Sequence, residues 1–397
     1  MNGFRAVALL VFHTFLLAPA LASDTEFGDP VRGQTVFQTR ACVRCHAVRG
    51  AGGRIGPDLG RKAVKGSFFE IAAGMWNHSP AMGDKMEEYH LLRPSFEESE
   101  LADLAAFLYF LKYFDEPGDA RLGKTLFTEK HCIRCHQVGD QGGDLGGRLD
   151  NLPRGASPLS IAQDLWNHGY AMVTAMEMQN LDVPTFEGSE IIDLMAYLRS
   201  QGQRGAAQEF QSAGDPENGE RLFKVKGCSR CHSIFGSRPQ LGPDLGSGEL
   251  RGSVTQIAGR MWNHWPAMAQ AMERMGMARP QFEDDDLADL FAYIFIARYQ
   301  GPAGNPRRGE TVYAAKGCAI CHRPDGTGEI GPSLRQIAAE SKETIMQRMW
   351  NHGPRMWVVM QERQIPWPRF EPDELAALLD FLRAGWETET AEEGQSQ

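Results

Sequence analysis

The chain lacks the features that would place it in several common classes. Beyond its first two dozen residues, no apolar run approaches the roughly 18–20 residues that a membrane-spanning helix needs. Basic residues are outnumbered, 41 Lys and Arg against 51 Asp and Glu, giving a formal net charge of −10. They form no cluster, so neither nucleic acid nor an anionic lipid surface is an expected partner. There is no Gly-rich nucleotide fingerprint, no convincing strand signal, and no metal cluster or catalytic constellation outside the repeats described below. Cysteine is scarce as well. The chain has eight in 397 residues, and their placement is the most informative thing about it.

The N-terminus reads as an export signal over residues 1–22. Arg5 precedes the apolar run Ala6 to Ala18, interrupted only by His13 and Thr14, and Ala20-Leu21-Ala22 places small residues where a signal peptidase cuts. The run is shorter than a span. No Cys follows the signal, so no lipid anchor is expected. The mature chain is expected to be periplasmic or otherwise extracytoplasmic, with no transmembrane span.

All eight cysteines fall in one repeated pentapeptide: Cys42-Val-Arg-Cys45-His46, Cys132-Ile-Arg-Cys135-His136, Cys228-Ser-Arg-Cys231-His232 and Cys318-Ala-Ile-Cys321-His322. The first cysteines lie 90, 96 and 90 residues apart, a fixed period of the kind that marks tandem units. The repeat extends well beyond the cysteines. Nine residues before each first Cys stands a Gly, with an aromatic four residues after it: Gly33/Phe37, Gly123/Phe127, Gly219/Phe223 and Gly309/Tyr313. That spacing puts both on one helix face, and the Gly allows a second helix to cross closely. After each His comes a tight turn (Gly56-Pro57, Gly146-Gly147, Gly242-Pro243, Gly331-Pro332), then a helix expected to end in Trp-Asn-His at Trp76, Trp166, Trp262 and Trp350. Two Met follow, four and eight residues after that His. An amphipathic helix closes each unit, carrying Leu104/Phe107, Leu194/Tyr197, Leu290/Tyr293 and Leu378/Phe381.

Two thiols three positions apart on one helical turn can each add to a vinyl group on the same edge of a porphyrin, and the next His then faces the iron. Cys-x-x-Cys-His is therefore read as c-type haem attachment. Zinc thiolate sites and redox disulfides explain neither the His after every second Cys nor the ninety-residue period. The cofactor expected is haem c, four per chain, held by Cys42 and Cys45, Cys132 and Cys135, Cys228 and Cys231, and Cys318 and Cys321. The iron ligands are His46, His136, His232 and His322. For the second axial position each unit offers three candidates: the His of Trp-Asn-His (His78 in the first unit), the first Met and the second Met.

With these features in order, each unit resembles the class I cytochrome c family: a helix with Gly and an aromatic, the haem motif, a Gly-Pro turn, a helix reaching an Asn, a ligand Met and a closing helix. The resemblance implies an all-α fold of four tandem class I cytochrome c-like domains, each wrapped around one covalent haem. The expected domains are 27–116, 117–203, 214–300 and 304–386, with a disordered acidic tail at 387–397. The family pattern Asn-Gly-x-x-x-Met maps onto Met82, Met172, Met268 and Met356, which makes the first Met the preferred ligand. The Pro-x-Phe that follows it, however, comes about a dozen residues late (Pro94/Phe96, Pro184/Phe186, Pro280/Phe282, Pro368/Phe370). The second Met (Met86, Met176, Met272, Met360) and the His therefore stay open. In the family the Pro carbonyl accepts a hydrogen bond from the proximal His, so Pro57, Gly147, Pro243 and Pro332 are expected to do so here.

The implied role is electron transfer between a redox protein donor and acceptor, a membrane-bound complex being one candidate partner, and not catalysis. The competing readings are a haem enzyme with one open iron, acting on peroxide, a nitrogen oxide or a sulfur compound, or a cytochrome subunit of a larger dehydrogenase or oxidase. Short breaks at Asp115 to Gly118 and at Gly301 to Gly304 predict that units one and two pack together, as do three and four. The polar stretch Ser200 to Gly214 is expected to separate these pairs.

Overall fold

The structure is a computed structural model that describes residues 27–61, 66–113, 115–151, 157–202, 214–236, 241–246, 250, 252–323 and 330–384. The expected signal segment and acidic tail, and most of the Ser200 to Gly214 stretch, lie outside these residues. Among them are fourteen α-helices and two hairpins of two residues per strand. The hairpins pair Ala47–Val48 with Ala51–Gly52 and Gln137–Val138 with Gln141–Gly142. They are too short to have left a period-two pattern in the sequence.

Each unit is built from three main helices. The first runs ten residues: Pro30–Thr39, Ala120–Glu129, Pro216–Val225 and Pro306–Ala315. Asp29, Asp119, Asp215 and Asn305 cap them, each side chain accepting from the next backbone N–H groups, which satisfies donors a helix start leaves free. The closing helices, Glu100–Phe110, Glu190–Gln201, Asp286–Gln300 and Pro372–Ala384, cross them at the conserved-spacing glycines. A Cβ on Gly33, Gly123, Gly219 or Gly309 would stand 1.9–2.0 Å from a carbonyl oxygen of the crossing helix, that of Asp103, Asp193, Asp289 or Ala377. No side chain fits there. The partner aromatics meet one turn on, with ring centres 5.6–5.7 Å apart in all four units.

The third helix departs from expectation. It does not stop at Trp-Asn-His but runs 21 residues, Phe68–Glu88, Pro158–Met178, Val254–Arg274 and Lys342–Glu362, through both Met. Pro80, Pro266 and Pro354 sit inside three of these helices. A Pro lacks the N–H that would bond the carbonyl four residues back. In unit one that carbonyl belongs to Trp76, and the Trp367 indole N–H takes it at 3.1 Å while its ring stacks on Trp76 at 4.4 Å. The helices stop later, at left-handed His90, Asn180, Gly276 and Gln364. There the following N–H bonds back to the second Met carbonyl at 2.7–2.9 Å, a six-to-one closure of the Schellman type.

The arrangement of units also differs from expectation. Helices pack across units one and four and across units two and three, and no comparable packing joins one to two or three to four among the described residues. The cause is a side-chain clasp. Trp76 Nε1 donates to the Pro368 carbonyl (2.8 Å), and Asn77 Nδ2 donates to the Phe370 carbonyl (2.8 Å) while Asn77 Oδ1 accepts from Phe370 N–H (2.9 Å). Trp350 and Asn351 return the same three bonds to Pro94 and Phe96. Units two and three repeat the exchange, with Trp166 and Asn167 on Pro280 and Phe282, and Trp262 and Asn263 on Pro184 and Phe186. Units two and three, which the Ser200 to Gly214 stretch was expected to separate, are therefore clasped together.

Units one and three join the two pairs. Tyr109 Oη donates to the Phe295 carbonyl (2.7 Å), Tyr113 stacks on Phe295 at 4.1 Å, and Val254 N–H donates to the Tyr113 carbonyl (3.1 Å). Lys112 lies over the Tyr109 and Tyr113 rings and donates to the Gly66 carbonyl at 3.2 Å. Its burial there, with the Arg298 guanidinium nearby and only Glu70 in opposition, pushes its pKa from 10.5 down to about 7.

Two outcomes follow. Replacing Asn263 with Ala leaves the buried N–H and carbonyl of Phe186 unmatched and should destabilise the two–three pair by roughly 2–4 kcal/mol. In hydrogen exchange the Phe186 amide should lose protection while the Phe96 and Phe370 amides keep theirs. The second outcome is a pH dependence. Between about pH 7 and 10.5 unfolded Lys112 holds a proton that folded Lys112 has lost, so stability should rise with pH across that window. Below pH 7 the burial penalty is present in full. Lys112→Met should flatten this slope in denaturant titrations.

Candidate haem-binding sites

Each site begins where the chain reverses after the first helix. The residue before the first Cys is left-handed in every unit: Ala41 (φ 64°), His131 (63°), Gly227 (83°) and Gly317 (77°). The Cys-x-x-Cys turn follows at once as a single short helical turn. A salt bridge beside it ties the turn to the closing helix: Arg40–Glu100, Lys130–Glu190, Lys226–Asp286 and Lys316–Glu374, at 2.7–2.9 Å. All eight cysteines are half-buried and none is paired in a disulfide. Burial pushes the first thiol of each pair up to about 11, as expected where a sulfur faces an apolar wall.

The proximal histidines are held alike. His46 Nδ1 meets the Pro57 carbonyl at 3.0 Å, His136 the Gly147 carbonyl at 2.9 Å, His232 the Pro243 carbonyl at 2.9 Å and His322 the Pro332 carbonyl at 3.0 Å. With Nδ1 committed, Nε2 is the nitrogen left to bind iron, a constraint that fixes tautomer and ring orientation together. The preceding Gly makes room for the ring. A Cβ at Gly56, Gly146, Gly242 or Gly331 would lie 2.4–2.7 Å from the imidazole Cε1. Free thiol pairs beside an oriented imidazole are the donor set that covalent haem requires, and the residues fit that group. Haem supplies an iron that gains and loses one electron.

The other wall is the 21-residue helix. Met82, Met172, Met268 and Met356 lie on it half-buried, while the second Met is buried at Met176, Met272 and Met360 and half-buried at Met86. The second Met thus packs in the core, a use its flexible thioether suits. Trp76 and its counterparts are core residues too, of an interface between units. The Trp-Asn-His histidines are not equivalent. His78 and His168 are exposed, each with Nδ1 on the carbonyl one turn back, Gly74 (2.7 Å) or Asp164 (3.0 Å). His352 is half-buried, and its ring centre stands 6.2 Å from that of His322.

Two repeated groups were missed in the sequence. Asp103, Asp193 and Asp289 are buried at the helix crossing and accept from the N–H of Asp29, Asp119 and Asp215 at 2.7 Å. In unit four Asp380 takes this role toward Gly304 N–H, also at 2.7 Å. The Asn of Trp-Asn-His is the other group. The Asn recurs at a fixed offset in all four units and the Asp in the first three, with Ala377 in its place in unit four, and that recurrence was their only sequence signal.

The cytochrome c family model matches residues 30–112, 120–202, 216–295 and 306–386, and the chain belongs to that family. A curated relative, a cytochrome c-553-like protein of Synechocystis sp., is 27% identical over 100 residues, 24% of this chain and 86% of its own length. No solved structure matches the chain. Four domains of a family that carries covalent haem fit four haems c. No helix among the described residues is long and apolar enough to cross a membrane.

Unit two keeps the carbonyl on its proximal His but not the Pro that stiffens it. A Cβ at Gly147 meets nothing within 4 Å, so the larger residue has room. Gly147→Pro should shift one of the four potentiometric steps and leave the others in place. It should also stabilise unit two by roughly 0.4–1 kcal/mol through the unfolded chain, read as a rise in its thermal midpoint.

Proposed function

We propose that this chain is an exported tetrahaem electron carrier. It passes electrons between a donor protein and an acceptor protein outside the cytoplasm, with domains over 27–116, 117–203, 214–300 and 304–386. The observation that carries this reading is fourfold. The same free thiol pair, the same carbonyl-oriented imidazole and the same wall of helix recur in units that pack into one body. A protein with one specialised catalytic centre has no use for four copies of a site whose histidine-orienting bond repeats at 2.9–3.0 Å.

In this reading Cys42 and Cys45, and their equivalents, hold the haem edge, and His46, His136, His232 and His322 bind on one side. In units one to three Met82, Met172 and Met268 face the other side. Thioether ligation raises the reduction potential and fills the last coordination position, which favours electron exchange over bond chemistry. Unit four offers Met356 together with a closer imidazole. Contacts between units run two–three–one–four, so this sequence, and not the order along the chain, sets which sites are neighbours. The acidic surface fits partners that present basic patches.

Intact mass of the exported protein should exceed the polypeptide mass by four haems. The oxidised protein should be entirely low-spin by electron paramagnetic resonance, and its reduced form should bind no carbon monoxide. A stoichiometric high-spin iron would instead support the enzyme reading.

A further inference from the structure

Unit four departs from its three counterparts in several ways that converge on one place. Its proximal His322 is the buried one of the four, with only 8% of its surface exposed. Tyr313 replaces the phenylalanines of the other units, and its hydroxyl donates to the backbone carbonyl of His322, the residue whose ring Nδ1 is held by Pro332. Across from it stands His352, half-buried, its ring centre 6.2 Å away and its plane inclined at 67°. His78, His168 and His264, at the same position of their repeats, are exposed, and the first two are turned onto their own helix.

The distance has a specific meaning. Imidazole nitrogen binds a first-row metal at about 2 Å, and the ring centre lies about 1 Å behind that nitrogen. Two imidazoles sharing one iron therefore have centres about 6 Å apart. A ring resting on the far face of a porphyrin without bonding needs a van der Waals gap of about 3.5 Å, which moves its centre beyond the observed separation. The two rings stand at the spacing for shared coordination and are too close for simple stacking across a haem.

We propose that the fourth iron is held between His322 and His352, with Met356 left as a packing residue, so that unit four is the low-potential site of a chain whose other sites use a thioether. This rests on the reading of the chain as a tetrahaem carrier. Replacing a thioether by imidazole lowers the reduction potential. Unit four is also one end of the two–three–one–four contact series, so the proposal places the most reducing site at an end.

The test is near-infrared magnetic circular dichroism of the oxidised holoprotein, which separates imidazole–iron–imidazole from imidazole–iron–thioether centres. The wild type should show about one quarter of its intensity as the bis-imidazole band. Met356→Leu should leave that fraction unchanged. His352→Leu should abolish it and remove the lowest step of the potentiometric titration. A wild-type spectrum without the bis-imidazole band, or a loss of one thioether centre in Met356→Leu, overturns the proposal. Should His352→Leu fail to retain its fourth haem, the wild type and Met356→Leu decide the matter alone. A wild-type haem count below four sinks the carrier reading itself, and it is measured independently of which ligand band appears.

Discussion

The backbone of each Pro-x-Phe segment cannot be satisfied inside its own unit. The Pro carbonyl, and the N–H and carbonyl of the Phe, all find partners on the Trp-Asn pair of another unit. Buried backbone groups left without partners are expensive, so a unit of this sequence is incomplete until a second one meets it. Because every unit carries both halves of the clasp, the contact is self-complementary: what one unit gives it also receives, as in a two-fold symmetric dimer. The long helix runs straight through its Pro for a related reason. In unit one the carbonyl freed by Pro80 is taken by Trp367 of the unit across the interface.

Within a unit, a different set of contacts aims the chemistry. The Gly at the helix crossing brings two backbones together, a buried Asp or its stand-in pins the start of the first helix, and a salt bridge holds the Cys turn against the closing helix. A left-handed residue then turns the chain into the Cys-x-x-Cys turn, where burial raises the pKa of the first thiol. The carbonyl two positions into the Gly-Pro turn orients the imidazole from behind. Each contact lies in the backbone or one residue from it, which explains how side chains elsewhere vary while four sites keep one geometry. Unit two shows how little is needed, since a Gly carbonyl serves as well as a Pro carbonyl for position.

Much of this was legible in the sequence. The period, the Cys-x-x-Cys-His motif and the Gly and aromatic pairs are local patterns, and local patterns survive translation into structure; the carbonyl behind each His was implied by the family resemblance. The pairing of units was not legible, because Trp-Asn and Pro-x-Phe are the same in all four copies and nothing in a copy says which other copy it will meet. Short linkers suggested neighbours in sequence, and the clasp overrode them. The helix was expected to end at Trp-Asn-His, and the group that lets it run on through Pro80, Trp367, lies 287 residues away from Pro80 in the chain. The special position of His352 was equally hidden, since its repeat reads Trp-Asn-His like the others and only the fold brings it opposite His322.

The nesting of the clasps has a bearing on how the chain comes to be folded. Units two and three close on each other across a short stretch of chain, but Trp76 and Asn77 wait for Pro368 and Phe370, 292 and 293 residues later. In any process that feeds the polypeptide from its N-terminus, the unit that emerges first is the one whose partner emerges last. Unit one must therefore hold together on its own while the inner pair assembles. In the proposed reading, a covalent staple gained early through Cys42 and Cys45 would then matter for survival during biogenesis as much as for redox chemistry.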